Sequence, residues 1–317
     1  MKRMVFSSAR ILVGFVVFVL SFAACGGQKP NEILYKTSTQ DEWETMSFEK
    51  DLISIERSLD IKDKESISAI VLPSGVETIG EEAFKDFAAL TSITLPHGLK
   101  TIGRQAFEGC RNLSEINIPE TVISIGIYAF KDCKSLPSED GVWYADTYLV
   151  GPSLSNAYMD NYYHPETVRI KDGIRFLGTE AFYHKYLDAL ECSSKARSVI
   201  IPESLVSIGE GAFSRLSNLT TVTIPQNVNY IGELAFVDCT DLTTVYCKAT
   251  TPPTLVNSLV FVYYHIDEYN YDTEGEWHTL RSLKTIYVPA ESVDAYKNAH
   301  GWKQYSKYIV GYDFSKE

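Results

Sequence analysis

Six cysteines and six histidines are the side chains best suited to nucleophilic, redox or metal chemistry here, and their spacing decides whether they do any. His97, His164, His184, His265, His278 and His300 are scattered, with no HxH or HExxH among them. Protein metal sites draw on close pairs of such ligands, and no cysteine pair has zinc-ligand spacing either, so no metal is expected. Cys110, Cys133 and Cys239 each lie seven residues after a glycine, and Phe87 and Leu216 hold the same place after Gly80 and Gly209. A place open to Cys, Phe and Leu is apolar and interior. These three are therefore expected as buried thiols, with a Cys110–Cys133 bridge as the alternative. Cys192 and Cys247 fall outside that pattern.

Other catalytic signatures are missing from the sequence. There is no Gly-x-Ser-x-Gly, no phosphate-cradling glycine loop and no dinucleotide fingerprint. Two of the 41 carboxylates could flank a glycosidic bond, yet none stands in a distinctive context. The expectation is a protein without catalytic residues or cofactor.

The glycines lead instead to a repeat. Ile-Gly pairs end at Gly80, Gly103 and Gly126, and again at Gly209 and Gly232, 23 residues apart within each group. Pro73, Pro96, Pro119, Pro202 and Pro225 stand seven residues before these glycines, and Phe84, Phe107, Phe130, Phe213 and Phe236 four after. Leu90, Leu113, Leu136, Leu219 and Leu242 close each unit. A weaker sixth copy, "VRIKDGIRFLGTEAF", keeps Gly178 and Phe182 but has Lys171 in the proline place. Ile93-Thr94-Leu95 alternates as a half-buried strand does, and proline ends that strand. The glycine either takes a backbone conformation closed to other residues or lets coils approach closely. Such self-similarity predicts a solenoid whose coils stack in a parallel β-ladder and share one core.

These units resemble the leucine-rich repeats of the BspA type, also called the Treponema pallidum type, with pattern LxxIxIPxxVxxIGxxAFxxCxxL. The tail from Ile286, "IYVPAESVDAYKNAHGWKQY", resembles a terminal unit in which Val293, Tyr296 and Ala299 line an amphipathic helix. The resemblance implies a right-handed leucine-rich-repeat coil with a parallel β-ladder, short helical or irregular segments and a C-terminal capping helix. It also implies a bacterial surface or secreted protein that binds a partner.

The N-terminus reads as an export signal. Lys2, Arg3 and Arg10 precede a 14-residue uncharged run, Ile11 to Ala24, too short to span a membrane. Its ending, Ala23-Ala24-Cys25, looks like a bacterial lipoprotein signal with Cys25 as the lipidated residue; ordinary cleavage near Ala24 is the alternative. Without the signal the chain has 26 basic residues against 41 acidic ones, a net charge of −15. That balance argues against nucleic acid as a partner, and leaves the N-terminal lipid as the expected membrane contact.

The expected organisation is a signal at 1–24, a tether at 25–33, an N-terminal cap at 34–66, a solenoid over 67–289 and a C-terminal cap at 290–317. Inserts interrupt the solenoid at 137–167 and 255–281. The first holds Trp143, Tyr162 and Tyr163, and the second Phe261, Tyr263, Tyr264 and Trp277. Exposed Tyr and Trp suit protein or sugar partners, although "VWYADTYLV" reads equally as a strand pair packed into the core. The acidic run around Asp267 and Asp272 lacks EF-hand spacing and is expected as a solvated loop. Thr94, Asn117 and Thr223, with Val71, Arg169 and Ile200, mark the outward ladder positions, a second candidate surface. The leading expectation is a surface-exposed outer-membrane lipoprotein that binds a protein or glycan. The alternatives are a structural envelope protein without a dedicated ligand and, less favoured, a glycan-degrading enzyme.

Overall fold

The computed structural model describes residues 28–56, 64–139, 142–152, 166–182, 196–265 and 276–316. They fall in two compact units, Met1–Ser135 and Leu136–Glu317. The signal, Cys25, Tyr162, Tyr163, Cys192 and the acidic run between His265 and Glu276 lie outside the described residues.

In the first unit, strands Ile67–Val71, Ser92–Thr94 and Glu115–Ile116 run parallel, with Ile70, Ile93 and Ile116 in register. Register at one 23-residue step places every copy of the repeat on the same face. Pro73, Pro96 and Pro119 follow these strands, and their carbonyls accept the amides of Val76, Leu99 and Val122, closing a turn that needs no proline N–H. After the turn comes a second parallel ladder: Ser54–Ile55, Thr78–Ile79, Thr101–Ile102 and Ser124–Ile125. Periodicity predicts one ladder; the structure has two. Strands of two residues are too short to leave a period of their own in the sequence.

A third column of hydrogen bonds follows the glycine. The amides of Glu82, Phe84 and Asp86 donate to Arg104, Ala106 and Glu108 at 2.9, 2.8 and 2.8 Å. Glu82 and Asp86 hold φ of 54° and 62°, and Gln105 and Gly109, one coil later, 53° and 76°. Alternating left- and right-handed residues turn successive N–H groups to one side, here toward the next coil. The Ile-Gly glycines have no such φ. Their reason is space: a Cβ on Gly103 would lie 2.5 Å from the Gly80 carbonyl carbon, and one on Gly126 2.4 Å from the Arg104 nitrogen. Close approach is the option realised.

The chain is tied down earlier than the expected tether allows. Gln28 Nε2 donates to the Val71 carbonyl at 3.0 Å. Strand Glu32–Thr37 pairs antiparallel with Ile67–Val71 and with Glu44–Ser47. Residues 32 and 33 thus belong to the sheet, and Gln28 is hydrogen-bonded to it.

The second unit repeats the plan with a longer core. One parallel ladder runs Thr167–Arg169, Ser198–Ile200, Thr221–Ile224, Thr244–Cys247, Thr285–Pro289 and Ile309–Tyr312. Another runs Tyr148–Pro152, Phe176–Leu177, Ser207–Ile208, Tyr230–Ile231 and Thr254–Leu255. Over its described residues the weak copy keeps the coil geometry despite Lys171: the amides of Glu180 and Phe182 donate to Glu210 and Ala212 as their counterparts do. At the start, Val142–Ala145 pairs antiparallel with Tyr148–Pro152, and Ala145, Tyr148 and Leu149 are buried. For this part of the first insert, the strand-pair reading holds.

The second insert is corrected more sharply. Leu234, Phe236 and Asp238 donate to Leu259, Val260 and Val262, and Phe261 stacks on Phe236 with centroids 5.2 Å apart. Phe261 is therefore a coil ring, set 25 residues after its predecessor and without an Ile-Gly pair to announce it. The solenoid runs through 254–262, and the departure from it begins only there.

Stacked rings fill both interiors. Phe84, Phe107 and Phe130 stack at 5.3 and 5.2 Å in the first unit. Phe182, Phe213 and Phe236 stack at 5.4 and 5.1 Å in the second. The last coil is closed by α-helix Val293–Asn298 and the turns after it. Tyr296, Trp302 and Tyr305 are fully buried against that end. Their polar atoms find backbone partners: Trp302 Nε1 donates to Pro253 and the Tyr296 hydroxyl to Ala249, both at 2.7 Å. An open solenoid end would leave such apolar surface wet.

Candidate functional site

The four described cysteines are packed away from chemistry. Cys110, Cys133, Cys239 and Cys247 are free and buried. The first three thiols donate to the carbonyls of Phe84, Phe107 and Phe213 at 3.1, 3.1 and 3.2 Å, each on the preceding coil. Burial pushes the Cys110 and Cys239 thiols up to about 12 and Cys247 up to about 11, which holds them as unreactive thiols at neutral pH. Cys247, unplaced by the repeat pattern, lies 3.2 Å from the Tyr296 hydroxyl beneath the closing helix. Among the described residues no three His, Cys, Asp or Glu side chains are grouped to hold a metal ion, and no helix is long and apolar enough to cross a membrane.

What remains is surface, and its clearest feature is the hairpin of Val262–His265 and Glu276–Thr279. Strand alternation sends neighbouring side chains to opposite faces, and this divides the three aromatic residues proposed from the sequence. Tyr263 turns toward the core; its hydroxyl accepts from Arg281 Nε at 2.7 Å, and the guanidinium lies 5.1 Å over its ring. Tyr264 and Trp277 are directly opposed on the other face. Their ring centroids are 4.8 Å apart at 52°, and they remain 44% and 40% exposed. A cross-strand aromatic pair stabilises a hairpin, and in doing so holds two large rings in one rigid, half-wet arrangement. Glu276 precedes Trp277 and so points to the other face, where its carboxylate lies 3.7 Å from His278 Nε2; its side chain is 78% exposed.

The ladder positions divide as well. Thr94 is half-buried and Asn117 exposed in the first unit. Val71 is not outward: it is 3% exposed beside strand Glu32–Thr37. In the second unit, Arg169 and Ile200 are exposed and Thr223 is half-buried, in register with Tyr246. Tyr246 stacks on Tyr287 at 5.0 Å, and Tyr312 lies 5.2 Å from Tyr287 and 4.9 Å from Phe314. This aromatic group on the outer face has no counterpart among the sequence expectations. Its signal was present, since Tyr246 is 23 residues after Thr223. Trp143 lies on strand Val142–Ala145 opposite Ser138 and Gly151.

Comparison with known proteins agrees with the coil geometry. No curated protein matches the chain. Among solved structures, a leucine-rich repeat protein from Bacteroides ovatus is 22% identical, with 84% of this chain and 66% of that one aligned and a TM-score of 0.29. The chain thus spans just under two thirds of that protein's length. The Treponema pallidum leucine-rich repeat protein is 24% identical over 55% of this chain and 77% of its own, at a TM-score of 0.30. A leucine-rich cell surface protein from Faecalibacterium prausnitzii is 20% identical over 84% and 71%, at 0.31. Likenesses this loose carry no conclusion about ligand or location. The BspA type leucine rich repeat region, by contrast, matches six copies over residues 61–140 and 153–273, more than half of the sequence. Those boundaries enclose the stacked phenylalanines and the glycines at the coil contacts, and the chain belongs to the BspA-type leucine-rich repeat family.

Proposed function

We propose that this chain is a surface-exposed lipoprotein of the bacterial outer membrane, anchored through Cys25, that binds a protein or glycan partner without catalysing a reaction. The observation that carries the reading is the Tyr264–Trp277 pair, two opposed rings kept 44% and 40% exposed on a hairpin that leaves the solenoid. Rigid aromatic side chains contribute contact area at little entropic cost and are enriched among residues that dominate binding. The coils beneath are closed by their own hydrogen bonds, so changes to the pair leave the core intact. Thr94 and Asn117 on the first unit, and Thr223 on the second, are further positions at which contact is proposed, with Trp143, Tyr162 and Tyr163 kept as candidates. The test is capture from panels of extracellular matrix proteins and glycans, wild type beside Tyr264→Ala/Trp277→Ala. Loss of capture with an unchanged melting curve is expected; equal capture by both would refute the hairpin as the binding surface.

A further inference from the structure

One ladder of the second unit carries a hydroxyl at the same outward place on successive strands. Thr167, Ser198, Thr221, Thr244 and Thr285 are neighbours in register, and from Ser198 onward the residue after each is buried on the opposite face. Two residues further along, the outward place reads Arg169, Ile200, Thr223, Tyr246 and Tyr287. Neither column contains a carboxylate, in a chain with 41 Asp and Glu against 29 Lys and Arg. Arg169 is exposed and makes no hydrogen bond or ion pair among the described residues. At the other end Lys248 Nζ stands 5.8 Å over the Phe314 ring, which packs on Tyr246 and Tyr312. Asp313, between Tyr312 and Phe314, is bound to Ser315 and Lys316. A hydroxyl both donates and accepts, so a row of them suits a partner that carries hydroxyls along its own length. Tyrosine adds an apolar body with a polar tip, and a guanidinium or ammonium pairs with carboxylate or sulfate. An acidic peptide would answer the two cations but not the row of hydroxyls, and a neutral sugar would leave Arg169 unpaired.

We propose that this face, from Arg169 to Lys248, holds an acidic glycan laid across the strands. The inference rests on the reading as a binding protein and gives the second unit's ladder a ligand class of its own, independent of the hairpin. The hydroxyl column exchanges hydrogen bonds with sugar hydroxyls, and the group around Tyr246 and Tyr287 receives a sugar ring. Arg169 and Lys248 pair with the carboxylate or sulfate groups. Absence of carboxylates from both columns is what lets a polyanion approach a chain that is acidic elsewhere.

The probes are labelled decasaccharides of polygalacturonate, hyaluronate and heparin, titrated into the purified chain beside a neutral malto-oligosaccharide of equal length and deca-glutamate. Thr221→Val/Thr244→Val removes hydroxyls and keeps the β-branched shape. Arg169→Glu/Lys248→Glu reverses the charge of the face, and Arg111→Glu/Lys134→Glu makes the same change at exposed places in the first unit. Tyr264→Ala/Trp277→Ala tests the hairpin in the same assay, and thermal melts show that each variant is folded. At least one acidic oligosaccharide is expected to bind wild type, and to bind the first two variants about tenfold more weakly or worse. The first-unit and hairpin variants are expected to bind it as wild type does. The neutral sugar and deca-glutamate are expected to bind wild type about tenfold more weakly than the acidic sugar does, or worse. The proposal is overturned if no acidic oligosaccharide binds, if the hydroxyl variant binds as wild type does, or if both charge variants weaken binding alike. It is also overturned if deca-glutamate or the neutral sugar binds as tightly as the acidic sugar. Acidic sugar lost with the hairpin variant but kept by the ladder variants would overturn it as well, while leaving the hairpin reading standing.

Discussion

Gly98 and Gly103 lie on one coil and differ in what stands beside them. A Cβ on Gly98 would meet the Ser74 carbonyl oxygen at 3.5 Å, an ordinary contact, whereas on Gly103 it would press into the Gly80 backbone at 2.5 Å. Backbone cannot swing aside as a side chain can. Gly103→Ala is therefore expected to destabilise by about 1–3 kcal/mol or more, the range for overpacking, and Gly98→Ala by under about 0.5 kcal/mol. Urea midpoints of the two variants check this. The same contrast applies to Phe107, fully buried between two rings, and Arg104, with its side chain 58% exposed. Phe107→Ala is expected to cost about 3–5 kcal/mol and Arg104→Ala under about 0.5 kcal/mol. Equal midpoints would contradict the register. At Glu210, burial first, then the carboxylates of Glu233 and Glu180, raise the carboxyl above its usual value. The folded chain then holds that proton more tightly than the unfolded chain. Its contribution to stability is present at low pH and is lost as pH rises through the raised folded value. Glu210→Gln is expected to raise the melting midpoint at neutral pH, with the gain vanishing below about pH 4.3, the ordinary glutamate value. A gain that persists under acid would rule this out.

Elements differ in how plainly the sequence announces them. The strand before each proline, the stacked phenylalanines and the closing helix all show in residue spacing, because each needs one side-chain type at one place in every coil. The Thr78–Ile79 and Thr101–Ile102 ladder does not, since two residues have no period. Phe261 escaped because its coil is two residues longer than the regular 23-residue coils and lacks the glycine. The opposite orientations of Tyr263 and Tyr264 follow from alternation only once the strand is known to begin at Val262. Tyr246 repeats the Thr223 position 23 residues on, whereas Tyr287 stands 41 residues after Tyr246, outside that interval. The closing helix offers a test at this scale. Trp302→Ala removes a fully buried ring and the hydrogen bond to Pro253. It is expected to cost about 3–5 kcal/mol and to make the Cys247 thiol reactive toward alkylation. A Trp302→Ala chain as stable and as unreactive as wild type would show that the terminal turns do not seal the core.

For the molecule as a whole, the proposed function rests on a division of labour between coils that hold one another and a hairpin proposed to meet a partner. Anchoring belongs to this scale too. Cys25→Ser is expected to release the chain from the membrane fraction, as fractionation and immunoblotting would read, whereas retention with the signal cleaved would contradict the lipid anchor. The most direct test of the central claim is the affinity of the purified chain for a captured partner, with and without Tyr264→Ala/Trp277→Ala, beside thermal melts of both. Aromatic anchors at the centre of an interface contribute at least about 2 kcal/mol each. The account therefore predicts binding weakened by roughly 700-fold if the two contributions add, and by no less than about thirtyfold if one ring dominates, with superimposable melts. Undiminished binding by a folded variant would contradict it.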